Sequence, residues 1–276
     1  MLVLQIEDII KNALIEDMNN GDITTDNLIG QDDISEAEII AKEDGILAGV
    51  EIAEITFKLL DKNIQFHRLK EDGQLLRKGD VIAKIKGKTR AILSGERTAL
   101  NFLQRLSGIA TKTRKFVDKV ENYKVRVADT RKTTPGIRVL EKYAVKLGGG
   151  SNHRYNLSDA VMIKDNHIRA VGNIEKAIKL MREKVSHTVK IEVEVETIEE
   201  FKQALSAGAD IIMLDNMSIE DMKEAVIIND KKAILEASGN VNIDNIEEVA
   251  KTGVDVISVG ALTHSVKALD ISLNIK

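Results

Sequence analysis

The sequence predicts an α/β protein in which an antiparallel amino-terminal half precedes a parallel sheet closed into an α/β barrel. Six short, almost continuously apolar runs recur between residues 125 and 260, and helical patterns fill the gaps between them. Strands buried on both faces read this way, and strand–helix alternation in series gives a parallel sheet. The repeat of roughly 20 to 35 residues favours barrel closure, with an open doubly wound sheet as the alternative. Before residue 90 the pattern differs, with short β-rich runs broken by Asp-Gly and Lys-Gly turns.

The first element is a helix over residues 4 to 14, where Ile6, Ile9, Ile10, Ala13 and Leu14 form one stripe. Residues 35 to 90 then form the antiparallel half. Their second β-rich run resembles the hairpins of lipoyl- and biotinyl-type sandwiches but has no convincing Lys at a hairpin tip. From Ser94 a long helix begins, with Leu103, Leu106, Ala110 and Val117 on one face. The six strands follow at 125–130, 159–164, 190–195, 210–215, 233–238 and 255–260. Between the first two, Pro135 at a first helical position, an apolar stripe of Ile137, Leu140, Ala144 and Leu147, and Gly148 as the stop predict a helix. Thr197 with Glu200 makes a capping box, and Ser218 with Asp221 does similar work for the next helix. The segments AGADIIMLDNMS and TGVDVISVGALT look like copies of one helix-end, strand and loop unit.

The 276 residues suffice for a barrel with a smaller partner, and 43% hydrophobic with 30% charged residues is ordinary globular composition. Aromatics at 3% leave the core to Ile, Leu, Val and Ala. A net charge of −4 offers no global field for nucleic acid, so any anion site must be local. The absence of Cys excludes disulfides, thiolate metal sites and a cysteine nucleophile. The opening MLVLQIEDIIKNALIEDM lacks the pattern of a signal peptide, and no apolar run is long enough for a membrane span, so a cytoplasmic protein is expected. The five His are not spaced as zinc ligands, and no strand is followed by G-x-G-x-x-G.

Polar residues collect at the predicted carboxyl ends of the strands, where barrel chemistry gathers. The six ends are Asp129-Thr130-Arg131-Lys132, Lys164-Asp165-Asn166-His167, Glu194 with Glu192 and Glu196, Asp215-Asn216, Glu236-Ala237-Ser238-Gly239-Asn240 and Ser258-Val259-Gly260. A structural salt bridge is the simpler account of any single charge here, but it does not cover six strands ending alike. Arg131, Lys132, His153, Arg154 and Lys164 predict a local cationic pocket for carboxylates or phosphates. A solvated basic face is the competing account, and Lys142 and Lys146 are assigned to one. Glu194 and Asp215 are hard oxygen donors suited to Mg²⁺ or ribose hydroxyls. Ser238-Gly239-Asn240 and Ser258-Val259-Gly260 are small-residue loops suited to phosphate. Together these features favour group transfer from a phosphorylated sugar.

The stretch DTRKTTPGIRVLEKYAVKLGGGSNHRYNLSDAVMIKDNHI, residues 129–168, resembles the signature region of quinolinate phosphoribosyltransferases. The likeness extends through GDITTD, SGERTALNFLQRLSGIAT, IEVEVET, LDN, EASGNVN and SVGALTHS, in order along nearly the whole chain. It implies an open seven-stranded, TIM-like α/β barrel over residues 108–265, one strand more than the six read from the sequence. It also implies an amino-terminal α/β sandwich over residues 1–107, rejoined by the tail at 266–276. The implied activity converts quinolinate and phosphoribosyl pyrophosphate, with Mg²⁺, to nicotinate mononucleotide, pyrophosphate and CO₂ in NAD biosynthesis. The resemblance further implies a homodimer or higher homo-oligomer with shared active sites, Arg97 reaching the substrate of the neighbouring subunit. Arg131, His153 and Arg154 would hold the quinolinate carboxylates, with Thr130, Lys132 and Lys164 in the same pocket. Glu194 and Asp215 would contact the ribose and the metal, directly or through substrate or water. Ser238, Gly239, Asn240, Ser258, Val259 and Gly260 would bind phosphate, with His264 nearby. Lys132, Lys164, Glu194 and Asp215 are the expected catalytic residues. The competing readings are a related phosphoribosyltransferase that does not decarboxylate its base, and a non-catalytic anion-binding or carrier protein.

Overall fold

The computed structural model describes residues 3–276; Met1 and Leu2, at the start of the segment read for a signal peptide, lie outside the described residues. The chain forms two compact units. One holds the residues up to Arg114, Thr133–Gly149 and Ser265–Lys276, and the other holds Lys115–Lys132 and Gly150–His264.

In chain order, α1 (Val3–Met18) and α2 (Ile23–Leu28) precede β1 (Ile34–Ala41), β2 (Gly45–Ile46) and α3 (Val50–Leu60). Then come β3 (Gln65–Arg68), β4 (Leu75–Leu76), β5 (Val81–Lys88) and the long α4 (Thr89–Lys119). Strand β6 (Arg126–Ala128) opens the second sheet, and α5 (Arg138–Leu147) returns to the first unit. Next are β7 (Val161–Ile163), α6 (Asp165–Val171), α7 (Ile174–Lys184), β8 (Ile191–Val195) and α8 (Ile198–Ser206). The second unit finishes with β9 (Ile211–Asp215), α9 (Ile219–Asn229), β10 (Ile234–Ser238), α10 (Ile246–Lys251), β11 (Val256–Ser258) and α11 (Ala261–His264). Strand β12 (Ile271–Ile275) ends the chain in the first unit.

The first unit is built on an antiparallel sheet ordered β12-β1-β5-β3. Ile39 of β1 lies opposite Leu273 of β12 and Ala83 of β5, so both termini share one core. Ile39, Phe57, Ile82, Ile85, Ile92 and Leu103 are buried in it, each contributing about 1.5–3 kcal/mol of transfer free energy. Helix α1 buries Ile6, Ile10 and Leu14 of its predicted stripe. The predicted face of α4 buries Leu103, Leu106 and Ala110, but near its end Phe116 and Val120 are buried in place of the half-exposed Val117.

Three expectations need correction here. The β-rich reading of residues 35–90 hides α3, whose buried Ile52, Ala53, Thr56 and Phe57 follow helical spacing although Val, Ile, Thr and Phe suggest strand. Pro135 is not the first residue of α5, because Gly136 at φ +85° turns the chain first and Ile137 becomes the N-cap. Lys142 is fully buried, unlike the exposed Lys146, and does not belong to a solvated face. Its neighbour Glu141 is equally buried and pairs with Arg105 at 2.6 Å while accepting from the Thr134 amide at 3.0 Å.

The second unit carries a parallel sheet of six strands ordered β6-β11-β10-β9-β8-β7, each coinciding with a predicted run. A single parallel bridge, Ala128 to Ser151, lies outside the named strands. The sheet interior is apolar, with Ile191, Val193, Ile212, Leu214, Leu235 and Ile257 buried. The two sequence copies perform one job: Asp210 accepts from the Ile191 amide at 2.8 Å, and Asp255 accepts from the Leu235 amide at 2.9 Å. Each ties the entry of one strand to the strand before it. Thr197 accepts from the Glu200 amide and Ser218 from the Asp221 amide, but the predicted box at Thr197 is only half formed, since the Glu200 carboxylate accepts from the Glu196 amide at 2.9 Å. Among the described residues, no helix is long and apolar enough to cross a membrane.

Candidate active site

The carboxyl ends of the parallel strands border one cavity of about 340 Å³. Arg131, Lys132, His153, Arg154 and Lys164 supply its basic lining, and Glu194, Asp215 and Glu236 its acidic lining. Thr130, Ser238, Ser258, Met162 and Met213 complete the wall. The two charge groups of the sequence therefore face a common space, which is the condition for them to act on one substrate.

Local structure explains how each side is held. Asp129, at the end of β6, is fully buried. Its carboxylate accepts from Asn152 Nδ2 at 2.7 Å and from the His153 amide at 2.8 Å, which anchors the loop carrying His153 and Arg154. The Arg154 guanidinium donates to the Ala160 carbonyl at 3.0 Å. Burial and the neighbouring Arg131 guanidinium lower the pKa of Arg154, so an anion bound here relieves a local excess of positive charge. The Lys132 amide donates to Thr130 Oγ1 at 3.0 Å, and the Lys132 carbonyl accepts from Thr263 Oγ1 at 2.8 Å. Lys164 forms an ion pair with Glu194 across neighbouring strands.

His153 is held at both ring nitrogens. Nδ1 accepts from the Arg154 amide at 2.7 Å, and Nε2 lies 3.3 Å from Glu192 and 3.5 Å from Glu236. Burial and the charge of Glu192 push the Glu236 carboxyl up to about 7.

On the remaining rim, Gly239 has φ +90°, and a Cβ there would sit 2.3 Å from Asn216 Oδ1. Only glycine fits this combination of backbone shape and close approach. Asn216 donates to Asp215 Oδ2 at 2.9 Å and accepts from Asn240 Nδ2 at 2.8 Å, tying the ends of β9 and β10 together. Gly260 is a second close approach, since a Cβ there would lie 3.1 Å from Lys132 Cδ and 3.2 Å from His264. The Val259 amide is used inside the fold, donating to the Ala128 carbonyl at 2.8 Å, and its side chain is buried. That amide therefore serves the sheet, and a phosphate at this loop must rely on its neighbours. Arg97 is exposed on α4 in the first unit and is not part of the cavity lining.

The list of site residues read from the sequence omits Asp129, Asn152, Glu192, Asn216 and Glu236. Asp129, Glu192, Asn216 and Glu236 stand in the strand-end motifs of the sequence. The convergence of His153, Glu192 and Glu236 has no spacing signal, because three separate segments bring them together.

A basic pocket, three carboxylates and small-residue turns at one end of a parallel sheet define an α/β protein whose site suits a polyanionic small molecule. Residues 22–107 match the quinolinate phosphoribosyl transferase N-terminal domain, and residues 109–274 match the corresponding C-terminal domain. The chain belongs to the quinolinate phosphoribosyltransferase family. It is 47% identical over 272 residues to a Bacillus subtilis protein named probable nicotinate-nucleotide pyrophosphorylase (carboxylating), covering 99% of this chain and 94% of that one. The solved nicotinate-nucleotide pyrophosphorylase of Francisella tularensis superposes with a TM-score of 0.94 at 45% identity, covering 99% of this chain and 96% of that one. NadC from Streptococcus pyogenes superposes with a TM-score of 0.96 at 42% identity, covering 100% of this chain and 98% of that one.

Proposed function

We propose that this chain is a quinolinate phosphoribosyltransferase acting in de novo NAD synthesis, and that the cavity described above is its active site. The observation that carries this reading is the meeting of five basic side chains with Glu194, Asp215 and Ser238 around one space, in a chain of this family. Arg131, His153 and Arg154 form the side that faces the two carboxylates of quinolinate, with Thr130, Lys132 and Lys164 beside them. Glu194 and Asp215 face the ribose hydroxyls. Ser238, Gly239, Asn240, Ser258 and Gly260 receive phosphate, with His264 at the edge and Val259 acting through the sheet.

In the reaction the pyridine nitrogen attacks the anomeric carbon as the bond to pyrophosphate breaks. The cationic ring that results takes up the electron pair released when the adjacent carboxylate leaves as CO₂, and that carbon then gains a proton. The basic wall orients the base, Lys132 and Lys164 balance the departing anion, and the carboxylates favour the developing sugar cation. Glu194 and Asp215 also fit Mg²⁺, since their hard oxygens share one wall and this ion commonly binds through one or two carboxylates plus substrate phosphates. When bound there, the ion would neutralise pyrophosphate charge.

The same reading includes an open seven-stranded barrel over residues 108–265, with the bridged segment at Ser151 standing where a seventh strand would run. It includes a sandwich over 1–107 with 266–276, a cytoplasmic location, and a homodimer or larger assembly in which Arg97 completes the neighbouring site.

Incubation with quinolinate, phosphoribosyl pyrophosphate and Mg²⁺ should release CO₂ and form nicotinate mononucleotide, and nicotinate in place of quinolinate should give no product. Turnover of nicotinate with no reaction of quinolinate would overturn the assignment in favour of a non-decarboxylating relative.

A further inference from the structure

Two carboxylates are buried beside the cavity and converge on one imidazole. Glu192 and Glu236 are 1% and 3% exposed, and both approach the same nitrogen, Nε2 of His153. Because His153 Nδ1 accepts the Arg154 amide proton, the single proton of the neutral ring belongs on Nε2. One N–H cannot satisfy two carboxylates, and an uncompensated buried charge is expensive. Glu236 Oε1 and Ser258 Oγ are moreover both buried without a hydrogen-bond partner. The Ser258 hydroxyl favours the ionised form of Glu236, against the larger effects of burial and Glu192. A proton on Glu236 would remove the second buried charge and leave the one N–H to Glu192.

We propose that Glu236 is a positioning residue for the dicarboxylate substrate, protonated while quinolinate is bound and ionised at alkaline pH when the site is empty. This rests on the reading that His153 and Arg154 border the quinolinate subsite. Neutral Glu236 lets His153 donate to Glu192 alone and keeps the His153–Arg154 corner in place. Ionised Glu236 sets a further negative charge 3.5 Å from His153, close to where a dianion must sit. Quinolinate binding and ionisation of Glu236 therefore oppose each other, and by reciprocity each proton gained tightens the substrate. The groups facing Glu236 are Glu192 from β8, His153 from the segment between α5 and β7, Arg126 from β6 and Ser258 from β11. Its strand neighbour on β9, Met213, is uncharged. Burial and Glu192, acting against His153, Ser258 and Arg126, place the midpoint near neutrality.

The test compares wild-type enzyme with Glu236→Gln, which resembles the neutral acid. Wild-type kcat/KM for quinolinate should fall as pH rises above about 7, approaching tenfold per pH unit. In Glu236→Gln it should stay within about twofold from pH 6.5 to 8.5, with the change confined to the KM for quinolinate. Calorimetry of quinolinate binding to wild-type enzyme at pH 8, in two buffers of different ionisation enthalpy, should show close to one proton taken up per site. No uptake by the wild type, or a wild-type pH profile in Glu236→Gln, overturns the proposal. A stoichiometric divalent ion in the purified enzyme that Glu236→Gln loses would also overturn it. Arg154→Ala separates this failure from failure of the subsite: an unchanged KM for quinolinate there would sink the subsite itself.

Discussion

Arg131 and Gly239 mark opposite demands on the site, one of charge and one of shape. If Arg131 grips a carboxylate, Arg131→Ala removes charge-assisted contacts of about 1.5–3 kcal/mol, which is about 10- to 150-fold in affinity. The KM for quinolinate should rise by that factor and the KM for phosphoribosyl pyrophosphate by less than about threefold; equal losses would assign Arg131 to the wrong ligand. Gly239→Ala tests the other demand. The added methyl must displace Asn216, which holds Asp215 and Asn240. Steady-state kinetics should show the KM for phosphoribosyl pyrophosphate rising at least about tenfold, since strain at a left-handed site costs about 1–3 kcal/mol before any contact is lost. An unchanged KM would detach this turn from the phosphate. Charged and small residues at strand ends were legible because their positions repeat from strand to strand. Glu236 was visible as a motif letter but not as a partner of His153, because only the fold brings the two segments together.

Elements with one period were read well and those with mixed signals were not. The six parallel strands are short apolar runs with no competing helical pattern, and their centres fall where the sequence places them. Helix α3 failed because its helical spacing is written in β-favouring residues, and α5 was begun early because a Pro-Gly turn imitates a helix start. Asp72 shows what such local reading omits. It accepts from the Gly49 and Val50 amides at the start of α3 and from the Tyr143 hydroxyl of α5 at 2.9 Å. Burial outweighs these bonds and raises the pKa of Asp72 above its ordinary 3.8. A carboxyl that holds its proton more firmly when folded contributes stability at acid pH and loses it as pH rises through the folded value. Denaturant unfolding of Asp72→Asn should therefore show its stability relative to wild type improving as pH rises above 3.8. A difference that stays constant across that range would mean that Asp72 does not titrate on folding.

At the scale of the molecule, the proposed sharing of active sites gives a test that needs no structure of the assembly. Arg97→Ala and Lys164→Ala subunits, each inactive alone, should recover part of the wild-type activity when mixed and reassociated. In a dimer with two shared sites, one of the two sites in each mixed dimer is then free of both substitutions. No recovery in demonstrably mixed dimers would place Arg97 outside the neighbouring site. Unit membership was only partly legible, because Thr133–Gly149 leaves the run of parallel strands and joins the first unit. No change in composition announces that excursion.

The pairing of β1 with β12 joins residues 37–41 to residues 271–275. During synthesis on the ribosome, β1 can find β5 early, but its other edge has to wait some 230 residues for β12. A translating chain therefore carries an unpaired strand edge throughout that interval. That interval gives chaperones something to shield, and β12 works as a latch on a fold begun some 230 residues earlier.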